Sequence, residues 1–313
     1  MIAGRFRIVC VGEAMVEISP RGGGWDVGHG GDTINQALHL VRFGHDVAYL
    51  TVLGTDPFAG PMRAAWGREG MDTSLVLSDP DRATGLYAIS IDARGERQFS
   101  YWRSDSAARR LFANPAITFA AREAEQAEVL VYSLISLAIL PEEGREALLG
   151  LARAVRARGG KVAFDGNYRP RLWQSPDEAR LWRDWAAREA DFGFPTLDDE
   201  ELIAGGKVDP AAIAAAWRDA GCSEVVVKLG AQGCLAPDGA RVTPRARLQP
   251  LDTSGAGDAF GAAYLSCRLR GGSPDEAALA GHDLAGWVMM RGGAIPPRDH
   301  AAPYSLSATA SPE

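Results

Sequence analysis

From residue 127 onward, short apolar runs alternate with helical patterns, and this alternation limits the possible folds more than any other feature. Residues 128–132, 161–164, 192–194 and 224–229 read as strands, and 142–157, 177–189 and 210–220 carry helical spacing. Gly159-Gly160 and Gly221 stop two of these helices. Strands separated by helices pair in parallel and are covered on both faces, so the pattern predicts an α/β fold with a central, mostly parallel sheet. Two further helical stretches, 257–269 and 274–291, fill the C-terminal third.

The N-terminal part fits the same plan. Residues 5–11 read as a first buried strand, 32–43 as a helix stopping at Gly44, 47–53 as a strand and 58–68 as a helix ending near Gly70. The stretch 20–31 (PRGGGWDVGHGG) is expected to be a Gly-rich loop. At 84–103 the pattern changes. TGLYAISID and ERQFSYWR, separated by Ala93-Arg94-Gly95, predict a hairpin. Together with 15–18 it would form a small sheet standing off the main body. The expected organisation is one domain over 1–313, with lid segments at about 14–30 and 84–104 and a mobile tail at 301–313.

With 313 residues, the chain needs no disulfide or metal staple to hold a core. Its formal charge is −7, and no basic face is visible, which argues against nucleic acid as a partner. The four cysteines, Cys10, Cys222, Cys234 and Cys267, lie far apart and read as buried thiols in a reducing compartment. The longest uncharged apolar run, 129–140, would span about 18 Å as a helix, against about 30 Å for a bilayer. The N-terminus enters a strand directly, so no signal peptide is expected. These features predict a cytoplasmic protein with no membrane partner.

The sharpest chemical signal is Asp252–Asp258, DTSGAGD. Gly255, Ala256 and Gly257 lead into a helical pattern, so their N–H groups can converge on one anion with help from the helix dipole. Asp258 then falls in the first turn. A carboxylate beside an anion hole binds ground-state phosphate poorly but suits a general base for a hydroxyl that attacks phosphate. The plainer alternative is a Gly-rich helix cap.

Other candidates have similar pairs of readings. Gly30 and Gly31 let backbone approach a ligand, and Asn35 can donate to and accept from hydroxyls, or be a satisfied polar group on a helix. Lys228 ends a strand at the carboxyl edge, where open α/β sheets place ligands, or is a surface charge. Gly230 and Gly233 permit a tight turn. In the hairpin, alternation puts Phe99, Tyr101 and Arg103 on one face. Arg103 beside Tyr101 could clamp a carboxylate bidentately.

Five motifs in order resemble the ribokinase-like (PfkB) carbohydrate kinase family: Gly30–Ala37 (GGDTINQA), Gly54–Gly60 (GTDPFAG), Asp165–Arg169 (DGNYR), Lys228–Gly233 (KLGAQG) and DTSGAGD. There is no Walker loop. YWRSDSAAR, YSLISLAIL and DGNYRPRLW further resemble the family members that act on 2-keto-3-deoxygluconate. The resemblance implies a three-layer sandwich with a small β lid. It implies ATP-dependent phosphorylation of the sugar acid's 6-hydroxyl, giving 2-keto-3-deoxy-6-phosphogluconate. ATP and Mg²⁺ are the implied cofactors, with room for a monovalent cation.

It further implies substrate contacts from Gly30, Gly31, Asn35, Tyr87, Tyr101, Arg103, Arg169 and Asp258. Nucleotide contacts are implied for Asn167, Lys228, Gly230, Ala231, Gly233 and the Gly255–Gly257 hole. The sequence departs from the family at Leu134, where a Gly is common, and at Thr196, which replaces the Asn of an N-x-x-E pattern. Asp199 then stands near the Glu position as a metal contact through water. A homo-oligomer joined through the lid would cover Phe99 and Tyr101. A kinase for a neutral sugar such as fructose or ribose, and a non-catalytic sugar-binding regulator, are the alternatives.

Overall fold

Buried strands with apolar residues on both faces build the centre of the molecule. A computed structural model describes residues 7–91 and 97–304. In chain order the first half contains β1 (Arg7–Val11), β2 (Met15–Arg21), β3 (Gly24–Gly30), α1 (Asp32–Arg42), β4 (Asp46–Leu53), α2 (Ala59–Glu69), β5 (Val76–Ser78), β6 (Leu86–Ile91), β7 (Arg97–Trp102), α3 (Ile117–Ala124) and β8 (Val129–Ser133). Then come α4 (Leu134–Ala138), α5 (Glu142–Ala157), β9 (Lys161–Asp165), α6 (Pro176–Arg188), β10 (Phe192–Phe194), α7 (Leu197–Ala204), α8 (Pro210–Ala220) and β11 (Glu224–Val225). The chain closes with β12 (Val227–Lys228), β13 (Cys234–Leu235), β14 (Arg241–Val242), α9 (Ala256–Leu269) and α10 (Pro274–Met289).

Seven strands form the central sheet in the order β11-β10-β9-β8-β1-β4-β5, and all of its ladders are parallel. Successive side chains of a strand point to opposite faces, and β1 shows the consequence. Val9 and Val11 join a core with Leu148 of α5, Ala186 of α6 and Trp217 of α8. Ile8 and Cys10 join another with Ile34 of α1, Phe260 of α9 and Ala277 of α10. Helices therefore cover both faces, as the alternating pattern predicts.

A second sheet, in the order β3-β2-β6-β7, is built from the two segments read as β-rich and Gly-rich. The stretch 20–31 is not a loop. Its residues finish β2, turn at Gly22 and Gly23 with φ of 56° and 84°, and return as β3, with Arg21 opposite Gly24. Two consecutive positive-φ residues give the turn whose twist matches paired strands, so the glycines make a hairpin. Trp25, Val27 and Trp102 of this sheet are exposed. The turn expected at Ala93-Arg94-Gly95 lies outside the described residues.

Two other runs change partners partway. The stretch 224–229 divides at Val226 into β11, in the central sheet, and β12, in a small antiparallel sheet with β13 and β14. The apolar run 129–140 is strand and then helix. Ser133 caps α4 by accepting from the Ser136 N–H at 3.2 Å while its own N–H donates to Ser136 Oγ at 3.1 Å. Of the expected tail, 305–313 lies outside the described residues. Tyr304 packs on α1, with its hydroxyl 2.8 Å from His39 Nδ1. Among the described residues no helix is long and apolar enough to cross a membrane.

Candidate active site

The site is assembled where α1 and α9 begin. Gly255 precedes α9 with φ 69°, and a Cβ there would stand 2.5 Å from the Ala294 Cβ. Asp252 fixes the loop before it, accepting from the N–H of Ser254 and of Gly293, each at 2.9 Å. The N–H groups of the first turn, Gly257 and Asp258 among them, precede any intrahelical acceptor and are free to point at an anion. Gly31 opens α1 with φ 145°, and a Cβ there would meet the Glu13 carbonyl at 2.4 Å. One turn on, Asn35 Nδ2 donates to Asp258 Oδ2 at 2.8 Å. The N- and C-terminal motifs thus meet across 223 residues.

Asp258 is buried, and its carboxyl is pushed up to about 8. Burial is the main cause, with repulsion from Asp32 next, while the Asn35 hydrogen bond opposes both. Asp32 holds the Thr33 N–H at 2.9 Å and accepts from Asn167 Nδ2 at 3.0 Å. At the end of β9, buried Asp165 takes Lys228 Nζ on both oxygens at 2.9 Å and Gln36 Nε2 at 3.3 Å. Burial raises its pKa and Lys228 opposes the rise. A Cβ on Gly257 would lie 3.6 Å from Lys228 Nζ, so this ammonium borders the anion hole.

Asp165 and Asp258 therefore share both the attraction of Lys228 and the repulsion of Asp32, with Arg169 acting on Asp165. That donor set is suited to a metal-bound polyphosphate, whose cation the acids attract and whose oxygens Lys228 and the helix end attract. Among the described residues no group of three or more acidic, His or Cys side chains could hold a metal by itself. A divalent ion here would take most of its ligands from phosphate and water.

Thr196 precedes α7 and bridges to Lys228. Of the three acids in the first turn of that helix, Asp198 is exposed and Glu200 is engaged elsewhere, pairing with Arg183 and accepting from Trp217 Nε1 at 2.9 Å. Asp199 faces the site. It accepts from the Tyr168 N–H at 3.2 Å and lies 3.8 Å from Arg169 Nη1, and burial raises its pKa against Arg169 and Lys228. Arg169 itself is half-exposed and donates to the Tyr168 carbonyl at 2.7 Å. Gly230 and Ala231 lie on an exposed turn after β12. Gly233 closes that turn with φ 94°, and a Cβ there would sit 2.1 Å from the Val242 carbonyl oxygen.

The other side of the site is the four-stranded sheet. Tyr87 is nearly buried, donates to Glu17 and stands so close to Gly30 that a Cβ there would meet its hydroxyl at 2.1 Å. Burial first, then Glu17, pushes the Tyr87 hydroxyl far up, and Asp258 contributes. The rings of Tyr87, Phe99 and Tyr101 pack together, with Tyr87 and Tyr101 centroids 5.9 Å apart. Arg103 lies 5.9 Å over the Tyr101 ring, so the residues expected on one face do share it. Its guanidinium is also ion-paired to Glu13, a residue just past the first strand that none of the motifs includes. Asp32 and Asp165 were visible only as letters within longer motifs.

The chain is similar to known proteins along nearly its whole length. The model of the pfkB family carbohydrate kinases matches residues 5–301. A 2-dehydro-3-deoxygluconokinase of Dickeya dadantii is 42% identical over 93% of this chain and 96% of its own. One of Escherichia coli is also 42% identical, over 94% of this chain and 98% of its own. The crystal structure of a PfkB protein from Polaromonas, 28% identical, superposes with a TM-score of 0.78 over 90% of this chain and 94% of that one. With its motifs, ribokinase-like fold and these relatives in agreement, the chain belongs to the pfkB family of carbohydrate kinases.

Proposed function

We propose that this kinase transfers the γ-phosphoryl group of ATP to the 6-hydroxyl of 2-keto-3-deoxygluconate. The observation that carries the reading is a continuous path from base to cation. Asn35, on the helix that Gly30 and Gly31 lead into, holds Asp258; the Tyr87 hydroxyl stands against Gly30, Tyr87 packs on Tyr101, and Arg103 lies over Tyr101. A sugar acid has a reactive hydroxyl at one end and a carboxylate at the other. This path offers a partner for each. The two relatives at 42% identity bear the name of that activity.

In this reading Asn35 orients the Asp258 carboxylate, which accepts the proton of the attacking hydroxyl. The N–H groups of Gly255 and Gly257 receive the charge that develops on the transferring group, whereas the Ala256 N–H donates to the Thr253 carbonyl at 3.3 Å. Lys228, held by Asp165 beside Gly257, adds a fixed positive charge there. Asn167 holds Asp32 in place, and the turn at Gly230, Ala231 and Gly233 lies under the nucleotide. Asp199 would be the acid that holds a nucleotide-bound Mg²⁺ through water, and the ion would supply neutralisation of the phosphate charge. Gly30 and Gly31 admit the sugar, and Arg169 stands as a second cation beside it. The β sheet over the site acts as a lid that keeps water from competing as acceptor.

The test is an ADP-release assay with 2-keto-3-deoxygluconate and with D-fructose. The expected result is a kcat/KM for the acid at least about a hundredfold above that for fructose, the scale of a lost charged contact in a closed site. Equal or inverted values would assign the enzyme to neutral sugars.

A further inference from the structure

Glu13 is a buried carboxylate that the transfer chemistry leaves unused. It lies between β1 and β2, where the chain leaves the central sheet for the lid, and is 2% exposed. It accepts from the Ser106 hydroxyl on one oxygen and faces Arg103 Nη2 with the other. The second leg of the lid passes equally close, since a Cβ on Gly85 would stand 2.6 Å from Glu13 Oε1. The Gly85 carbonyl in turn accepts from the Val16 N–H at 2.8 Å. The backbone of Glu13 abuts Gly31 at the start of α1. One side chain thus touches both legs of the lid, and its own backbone abuts the turn that admits the sugar.

Stability alone does not explain the arrangement. A buried ion pair rarely outdoes a well-packed apolar pair, and it is favourable only when its remaining polar atoms are satisfied. Here Glu13 Oε2 and Arg103 Nε and Nη2 are buried without a well-angled hydrogen bond. Arg103 therefore keeps donor capacity while its position is fixed from below by Glu13 and from the side by Tyr101.

We infer that Glu13 is the positioning residue for Arg103, and that through Arg103 it sets the preference for an acid over a neutral sugar. The inference rests on the reading of Arg103 as the carboxylate anchor. A guanidinium fork gains most from a carboxylate when its plane is already fixed, because little motion is then lost on binding. Without Glu13 the Arg103 side chain has rotamers to choose from, and the acid substrate must select one of them.

The test measures kcat and KM of the full chain for 2-keto-3-deoxygluconate and for D-fructose in wild type, Glu13→Ala, Glu13→Gln and Ser106→Ala. In Glu13→Ala the KM for the acid is expected to rise about tenfold or more, the scale of one charged hydrogen bond, with a much smaller change in kcat. The kcat/KM for fructose should fall by less than about threefold. Gln keeps an acceptor at the same reach and should restore most of the loss. Ser106→Ala, which only loosens Glu13, should shift the acid KM in the same direction by about threefold, and it decides the matter if Glu13→Ala does not fold. Equal losses on both sugars would make Glu13 a structural residue and overturn the inference. So would a Glu13→Gln variant that binds the acid more tightly than wild type, since Glu13 would then be competing for Arg103. An enzyme that prefers the acid while every variant keeps that preference would overturn this inference alone. A wild type with no preference would remove the substrate reading beneath it.

Discussion

The floor and the lid of this site use buried charge in opposite ways. On the floor, Asp32, Asp165 and Asp258 crowd around Lys228 at the ends of core strands and helices, where neighbours such as Ala259, Tyr264 and Val227 are fully enclosed. Burial first, and then repulsion from Asp32, raises the Asp258 pKa and makes it a stronger base. At the root of the lid a single acid, Glu13, meets a single cation, Arg103, and the surrounding face is aromatic, with Tyr101 46% exposed. Proton and phosphoryl transfer need fixed geometry, so their groups sit on rigid elements. In the proposed reading, recognition of the substrate's far end falls to the appended sheet, apart from the base.

If this division holds, damage to the floor should be general to all substrates. The largest effect is expected for Asp258→Asn, which should lower kcat by about 10²–10⁴-fold toward any sugar while leaving ligand binding near wild type. Steady-state rates with equilibrium binding measure both. A variant retaining more than about a tenth of wild-type kcat would mean another group takes the proton.

The next effect is on pH. A base must be ionised to act, so kcat/KM should fall about tenfold per unit as pH drops below the Asp258 value near 8. A profile flat down to pH 6 would show that Asp258 is not raised in the working enzyme. The same shift affects stability with a definite sign. A carboxyl whose folded pKa lies above its unfolded one holds its proton more tightly when folded, so its ionisation opposes folding as pH rises from about 4 to 8. Asp258→Asn should therefore raise Tm at pH 8 and leave it unchanged near pH 4. A loss of Tm at pH 8 would contradict the crowded-acid description of the floor.

The sequence reading reached the floor more fully than the lid. DTSGAGD and GGDTINQA each compress a helix start and its polar residues into one string, so Asp258 and Asn35 were legible, and their meeting followed from the fold. Asp32, Asp165 and Glu13 were not, because a lone carboxylate shows its role only through partners far along the chain. Asn167 lies 135 residues from Asp32, and Ser106 lies 93 from Glu13. The Gly-rich stretch 20–31 read as a loop because glycine weakens strand patterning, although here it supplies the turn between β2 and β3. β13 and β14 are two residues each, too short to show any period. The division of 224–229 between two sheets leaves no trace in an unbroken apolar run.

The central claim, that the lid reads the carboxylate while the floor performs the transfer, is tested most directly by Arg103→Leu measured on two substrates. Loss of a charge-assisted hydrogen bond in a closed site costs about 1.5–3 kcal/mol. The kcat/KM for 2-keto-3-deoxygluconate should accordingly fall roughly 10–150-fold. That for D-fructose should stay within about threefold of wild type, because a neutral sugar has nothing to offer the guanidinium. Comparing the two cancels any general damage to the lid. Equal losses on both sugars would contradict the account, leaving Arg103 and its partner Glu13 as struts of the lid rather than readers of the substrate.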